Sequence, residues 1–194
     1  MPMELPRFAL FETPIGVCGI AWTTRGVTTL QLPESSVAAT RRRLLRGCAG
    51  AVESVPDDNA RRAIDGVVAL LQGEPLDLRD IELDESGVPP FHRRVHAIAR
   101  RIDPGTTLSY GEVAARLGEP GAARAVGQAL GRNPFAIIVP CHRVLAADGR
   151  IGGFSAGGGA ATKRKILAIE GARVGDAPDL FATADRSGAH EEPL

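Results

Sequence analysis

Apolar residues alternate in the first part of this chain and later recur every three to four positions. Phe8-Ala9-Leu10-Phe11 and Ile15-Gly16-Val17-Cys18-Gly19-Ile20-Ala21-Trp22 read as strands. Thr23-Thr24-Arg25-Gly26 reads as a turn and Val27 to Leu32 as the returning strand, which together make a hairpin or meander. Ser35 or Ser36 can cap a helix through Val37 to Arg46, with Arg41, Arg42 and Arg43 on its solvated side. Pro56-Asp57-Asp58-Asn59 caps a second helix, Ala60 to Gln72, in which Ile64, Val67, Val68 and Leu71 keep the spacing of one buried face. Gly73 closes that helix. Leu76, Leu78, Ile81 and Leu83 predict a weak strand in the acidic stretch Asp77 to Glu85.

Ser86-Gly87-Val88-Pro89-Pro90 is a loop, and beyond it the period becomes helical. Phe91, Val95, Ile98 and Ile102 fall on one stripe; Arg93, Arg94, Arg100 and Arg101 fall off it. Ser109 and Glu112 form a capping box at the start of a short helix that turns Val113, Ala114 and Leu117 inward. After the turn Gly118 to Gly121 comes a second helix, Ala122 to Leu130, and the pair has the outline of a helix-turn-helix. That second helix is almost all small residues around Arg124. Small side chains let a helix backbone approach a narrow nucleic-acid groove, or pack tightly on neighbouring helices. A last helix, Ala160 to Glu170, carries Lys163, Arg164 and Lys165 near its start, against the helix dipole, so other interactions must fix those positions.

Ile137 to Val139 reads as a short strand buried on both faces, ended by Pro140. It delivers Cys141, His142 and Arg143. An unpaired cysteine beside an imidazole and a guanidinium is a candidate nucleophile of lowered pKa; a buried structural cysteine is the alternative. On an extended segment the side chains of Cys141 and His142 point to opposite faces, so the imidazole would act through a turn or a water. It needs an orienting carboxylate, for which Glu170 is best placed. The glycine-rich stretch Ile151 to Gly159 lacks the spacing of a phosphate-binding loop and suits a backbone-lined wall for a flat ligand.

Composition adds limits. The chain has 194 residues, 44% of them hydrophobic and 24% charged, which fits a folded globular protein. No apolar run reaches transmembrane length and the start lacks a signal peptide's apolar core, so a cytoplasmic protein with no membrane contact is expected. Cys18, Cys48 and Cys141 are three cysteines without close spacing, which argues against disulfides and against a metal site. Cys18 reads as a small core residue. Net charge is zero, yet residues 1–86 carry 9 basic and 13 acidic side chains, residues 87–175 carry 13 and 5, and residues 176–194 carry 1 and 5. A basic middle segment points to a polyanion, unless the segments merely neutralise one another. Domains are expected over 1–86 (α/β) and 87–175 (mostly α, with the helix-turn-helix), followed by a disordered acidic tail over 176–194.

Pro140-Cys141-His142-Arg143-Val144, preceded by Asn133-Pro134 and followed by a Gly-Gly-Phe-Ser segment, resembles the O6-alkylguanine-DNA alkyltransferases, the methylated-DNA–protein-cysteine methyltransferases. The resemblance runs over residues 88–171 and more loosely over 8–84, where it implies a ribonuclease-H-like N-terminal domain. It implies direct-reversal repair of double-stranded DNA: an alkyl group passes irreversibly, once per protein molecule, from flipped-out O6-alkylguanine to Cys141, with O4-alkylthymine a further candidate lesion. His142 would deprotonate Cys141 through a water, with Glu170 polarising the imidazole. Tyr110 would donate a hydrogen bond to the leaving guanine, and Ser155 would bond its oxygen. Arg124 would fill the gap left by the flipped nucleotide, while Ala123, Gly127 and Arg132 would contact DNA. Asn133 would brace the cysteine loop, Arg143 would tie it down, and backbone near Val144 would read the base's amino group. Phe154 would be an aromatic wall. No cofactor and no metal are implied, and a monomer is expected. The competing readings are a lesion-binding sensor without transfer, against which the presence of Cys141 counts, and a Cys-His hydrolase, which leaves the helix-turn-helix and the basic segment unexplained.

Overall fold

The computed structural model describes residues 5–151 and 158–172. Phe154, Ser155 and the tail over 176–194 lie outside the described residues. The chain begins with β1 (Arg7–Phe11), β2 (Cys18–Thr23) and β3 (Gly26–Gln31), followed by α1 (Val37–Arg46), β4 (Val52–Glu53) and α2 (Asp58–Leu71). The strands form one mixed sheet in the order β3-β2-β1-β4, antiparallel except for the β1–β4 pair.

Period-two alternation explains how two helices cover that sheet. Cys18, Ile20 and Trp22 point to one face, where they join Ala60, Ala63, Val67 and Leu70 of α2. Phe8 and Ala21 point to the other, where they meet Leu44 of α1 and Cys48. A Cβ on Gly19 would lie 2.8 Å from a terminal methyl of Leu44, so a larger residue there would push that side chain aside. Along α2 the fully buried stripe runs through Ala60 and Ala63, while Ile64 and Val68, expected at its centre, are half-buried. Cys18 is fully buried, and burial pushes its thiol up to about 12, fitting its core reading.

The rest is helical: α3 (Pro90–Ala99), β5 (Leu108–Ser109), α4 (Tyr110–Arg116), α5 (Ala123–Gly131), a 3-10 turn (Cys141–Arg143), β6 (Val144–Leu145) and α6 (Gly159–Ile169). The capping box is present as read, with Glu112 accepting from the Ser109 N–H and Ser109 accepting from the Glu112 N–H. One apolar core runs from Trp22 and Val27 through Val95, Val113, Val126 and Phe135 to Ile166. β5 pairs in parallel with β6, Leu108 opposite Val144 and Ser109 opposite Leu145, so the root of α4 lies against the chain just after Cys141.

Two expected strands are absent. Residues 77–85 are irregular apart from one bridge, Val27 to Leu83. Their carbonyls are satisfied instead by a side chain: Arg100 donates to Leu78, Arg79 and Ile81 at 2.8, 2.7 and 2.9 Å. Ile137 to Val139 is a buried turn, not a strand. Ile137 has φ 69°, a left-handed conformation rare for a β-branched residue. The Val139 N–H bonds the Phe135 carbonyl at 2.8 Å, and Asn133 bonds the Val139 carbonyl and the Phe135 N–H, each at 2.9 Å. Apolar content without period reports only that the run is inside, which a buried turn satisfies as well as a strand. Strain at Ile137 costs about 1–3 kcal/mol. Burying its side chain, 2% exposed, returns about 2 kcal/mol, so the turn stands only because Asn133 also holds it.

Candidate active site

The cysteine segment is not extended. Cys141 opens a 3-10 turn, its N–H bonding the Val139 carbonyl at 2.8 Å, and the Arg143 N–H bonds the Pro140 carbonyl at 2.9 Å. The expected placing of Cys141 and His142 on opposite faces of a strand is therefore replaced by a tight turn. It buries His142 and Arg143 completely or nearly so and leaves Cys141 partly accessible.

Behind the thiol lies a buried ion network. His142 Nε2 sits 2.9 Å from Glu170 Oε1. Arg143 donates to both oxygens of that carboxylate, Nη2 to Oε1 at 2.7 Å and Nε to Oε2 at 2.9 Å. Its remaining arm donates to the Ile102 carbonyl at 2.6 Å, anchoring the group to the turn that follows α3. Burial alone would push the Glu170 carboxyl up, but the bonds from His142 and Arg143 outweigh it and hold the group at about 2. A carboxylate at Nε2 fixes the proton on that nitrogen. The Nδ1 atom then carries the lone pair. It is buried and has no hydrogen-bond partner among the described residues. Burial lowers the His142 pKa more than Glu170 raises it, so the ring is a neutral base at pH 7.

Burial also raises the Cys141 pKa, against the opposing pull of a hydrogen bond from Asn133 and the charge of Lys163. A thiol so placed is protonated at neutral pH and needs a base. Asn133 is thus tied at once to the strained turn and to the thiol. Lys163 was absent from the expected site. It is 1% exposed and donates to the Val144 carbonyl at 2.6 Å, with its ammonium 6.0 Å from the Tyr110 ring centre. The signal for it is in the sequence: cations near the start of α6 oppose the helix dipole and call for a partner. Tyr110, at the first position of α4, is half-buried. Burial, then the neighbouring Cys141, pushes its phenol up, keeping it a donor.

Tyr110 also reaches a surface groove of about 630 Å³, lined with Ala123, Arg124, Gly127, Gln128, Ala146 and Ala147 among others. The fold thus brings Cys141, His142, Arg143, Glu170, Asn133, Tyr110 and Val144 into one cluster, with Ala123, Arg124 and Gly127 beside it. Arg132 is exposed at the far end of α5 and does not line the groove. Ser155 and Phe154 lie outside the described residues. Among the described residues no group of His, Cys, Asp and Glu could hold a metal ion, and no helix is long and apolar enough to cross a membrane.

Comparison with known proteins gives matches over most of the chain. The family profile described as "6-O-methylguanine DNA methyltransferase, DNA binding domain" matches residues 90–172. The methylated-DNA–protein-cysteine methyltransferase of Mycobacterium tuberculosis (strain H37Rv) is 39% identical over 168 residues, spanning 86% of this chain and 93% of the relative. A crystal structure of Mycobacterium tuberculosis OGT in complex with DNA is similar with a TM-score of 0.67 and 37% identity, over 85% of this chain and 92% of the other. The O6-methylguanine-DNA methyltransferase of Pyrococcus kodakaraensis gives a TM-score of 0.66 at 30% identity, over 86% and 99%.

Proposed function

The chain belongs to the methylated-DNA–protein-cysteine methyltransferase family, and on that premise we propose that Cys141 is its alkyl acceptor. The protein binds DNA and repairs it by direct reversal, moving an alkyl group from guanine O6 to a cysteine, so each molecule acts once. The observation that carries the assignment to Cys141 is the buried chain Arg143–Glu170–His142 with its one unpartnered ring nitrogen.

The Cys141 proton passes through a water to His142 Nδ1, and the Glu170 carboxylate stabilises the imidazolium that forms. The thiolate then attacks the alkyl carbon. A sulfur–carbon bond forms as the carbon–O6 bond breaks, and the bonding electrons pass to the purine. Tyr110 donates a hydrogen bond to the departing base as that charge develops. The Val144 carbonyl, bonded to Lys163 through one lone pair, keeps a second for the guanine amino group.

A base within a duplex cannot offer its O6 substituent in line to a thiolate, so it must be flipped out. α4, the turn over 117–122 and α5 act as a helix-turn-helix, and α5 lays its small residues in the minor groove with Arg124 filling the gap. The basic unit over 87–175 carries this chemistry, and the ribonuclease-H-like unit over 1–86 supports it. With DNA as substrate, the compartment is the cytoplasm.

The test is intact mass after mixing with a duplex holding one O6-methylguanine. A gain of one methyl group in the wild type, absent in Cys141→Ser, is expected. Tight lesion binding with no gain would indicate a sensor instead.

A further inference from the structure

α5 turns Val126, Ala129 and Leu130 into the core and exposes Arg124, Gln128 and Gly131 at positions i, i+4 and i+7. Gln128 is a long polar side chain on a helix otherwise built of alanine, glycine, valine and leucine around Arg124. It lines the same groove as Arg124, Tyr110, Ala146 and Ala147. No hydrogen bond from its side-chain amide to another described residue is present, so the fold itself makes no use of that amide.

The chemistry of the amide narrows what it can do. In the minor groove every base pair offers acceptors, adenine N3 or thymine O2 and their counterparts, and only G·C adds a donor, the guanine 2-amino group. Arginine and lysine carry donors alone and cannot accept from that group. A glutamine carries an accepting oxygen beside its two N–H donors, so it can detect the amino group and bond the adjacent acceptor together. Four helical residues rise about 6 Å, and successive base pairs are about 3.4 Å apart. With Arg124 in the gap, Gln128 therefore falls within about two pairs of the lesion.

We propose that Gln128 gives this protein a sequence preference, its amide reading the 2-amino group of a guanine in a pair flanking the lesion. The inference rests on the reading above, in which α5 enters the minor groove with Arg124 at the gap. Repair is then faster where that flanking pair is G·C.

The test compares single-turnover transfer from O6-methylguanine in duplexes whose pairs at one and two positions on either side are G·C or inosine·C. Inosine lacks only the 2-amino group. At subsaturating protein the wild type is expected to react about three- to tenfold faster on the G·C duplex at one of these positions, the weight of one neutral hydrogen bond. Gln128→Ala, a change on an exposed helical surface, is expected to bring that ratio close to one. A wild type indifferent to inosine, or a Gln128→Ala variant that keeps the full ratio, overturns the inference. Arg124→Ala separates this outcome from failure of the groove reading. If it slows both duplexes while Gln128→Ala leaves the ratio intact, α5 stays in the groove and only the role of Gln128 falls. If Arg124→Ala slows neither, the groove reading falls and this inference with it.

Discussion

The Nζ of Lys163 donates to the carbonyl oxygen of Val144 at 2.6 Å, with both residues buried. The bond sets a cation behind the Cys141 turn, where its charge favours the thiolate. Lys163→Met removes that charge and strands a buried carbonyl, a loss of about 1–3 kcal/mol in stability. Cys141 should also titrate higher and alkylate more slowly at pH 7, because the charge that favours its thiolate is gone. Mass-resolved labelling with iodoacetamide across pH checks this, since Cys18 and Cys48 are buried. An unchanged midpoint would remove Lys163 from the site.

Glu170→Gln keeps the size of the side chain but lets an amide face His142 either way round. The ring proton is then no longer held on Nε2, and the base at Nδ1 is lost in part of the molecules. Single-turnover transfer should fall at least about 100-fold, the usual weight of a general base, while affinity for the duplex persists. Full activity in this variant would show that His142 needs no partner.

The same carboxylate sets an acid limit on stability. Glu170 is held at about 2 in the fold against an ordinary value of 4.5. A depressed folded pKa stabilises above the unfolded value, and that contribution is lost as pH falls from 4.5 towards 2. It amounts to about 3 kcal/mol. His142, lowered from 6.5 by burial, acts in the same direction below that pH, because unfolding lets it take up a proton. The melting temperature should decline below pH 6.5 and drop more steeply below 4.5. In Glu170→Gln the steeper part should shrink, leaving what Asp84, held low against its burial by Arg25, Ser86 and Thr23, contributes.

Asn133→Ala withdraws the bonds to Val139 and Phe135 that hold Ile137 in its left-handed turn. A loss of about 1–3 kcal/mol in urea unfolding is expected, with slower transfer because the thiol loses the same amide. Ile137→Gly relieves the backbone but removes a buried side chain. The lost burial and the cavity left behind together exceed the strain relieved, so this variant too should be less stable than the wild type, by about 1–3 kcal/mol.

Local signals were legible in the sequence and long-range ones were not. The Ser109–Glu112 box is written within four residues, and its bonds form where expected. The alternation of β2 fixed both covered faces of the sheet. Cys141, His142 and Glu170 were legible together because family resemblance spans the residues that separate them, a distance no periodicity bridges. The turn at Ile137 was illegible: three apolar β-branched residues look alike in a strand and in a buried turn, and only Asn133, several positions earlier, decides between them. Arg100 falls off the apolar stripe of its helix. Its partners are carbonyls of a stretch some twenty residues earlier, about which helical period says nothing. Lys163 is the opposite case, where a breach of the dipole rule marks a residue buried behind the Cys141 turn.

The placement of Lys163 and Glu170 on and after α6 has a consequence for the life of the molecule. Translation delivers Cys141 before either of them. On the ribosome the nascent chain thus carries an ordinary thiol, with no cation behind it and no carboxylate to orient its imidazole. The relay that serves the buried thiol is complete only when α6 docks. For a reagent that can be spent once, the last helix to be made is the one that finishes the surroundings of the acceptor.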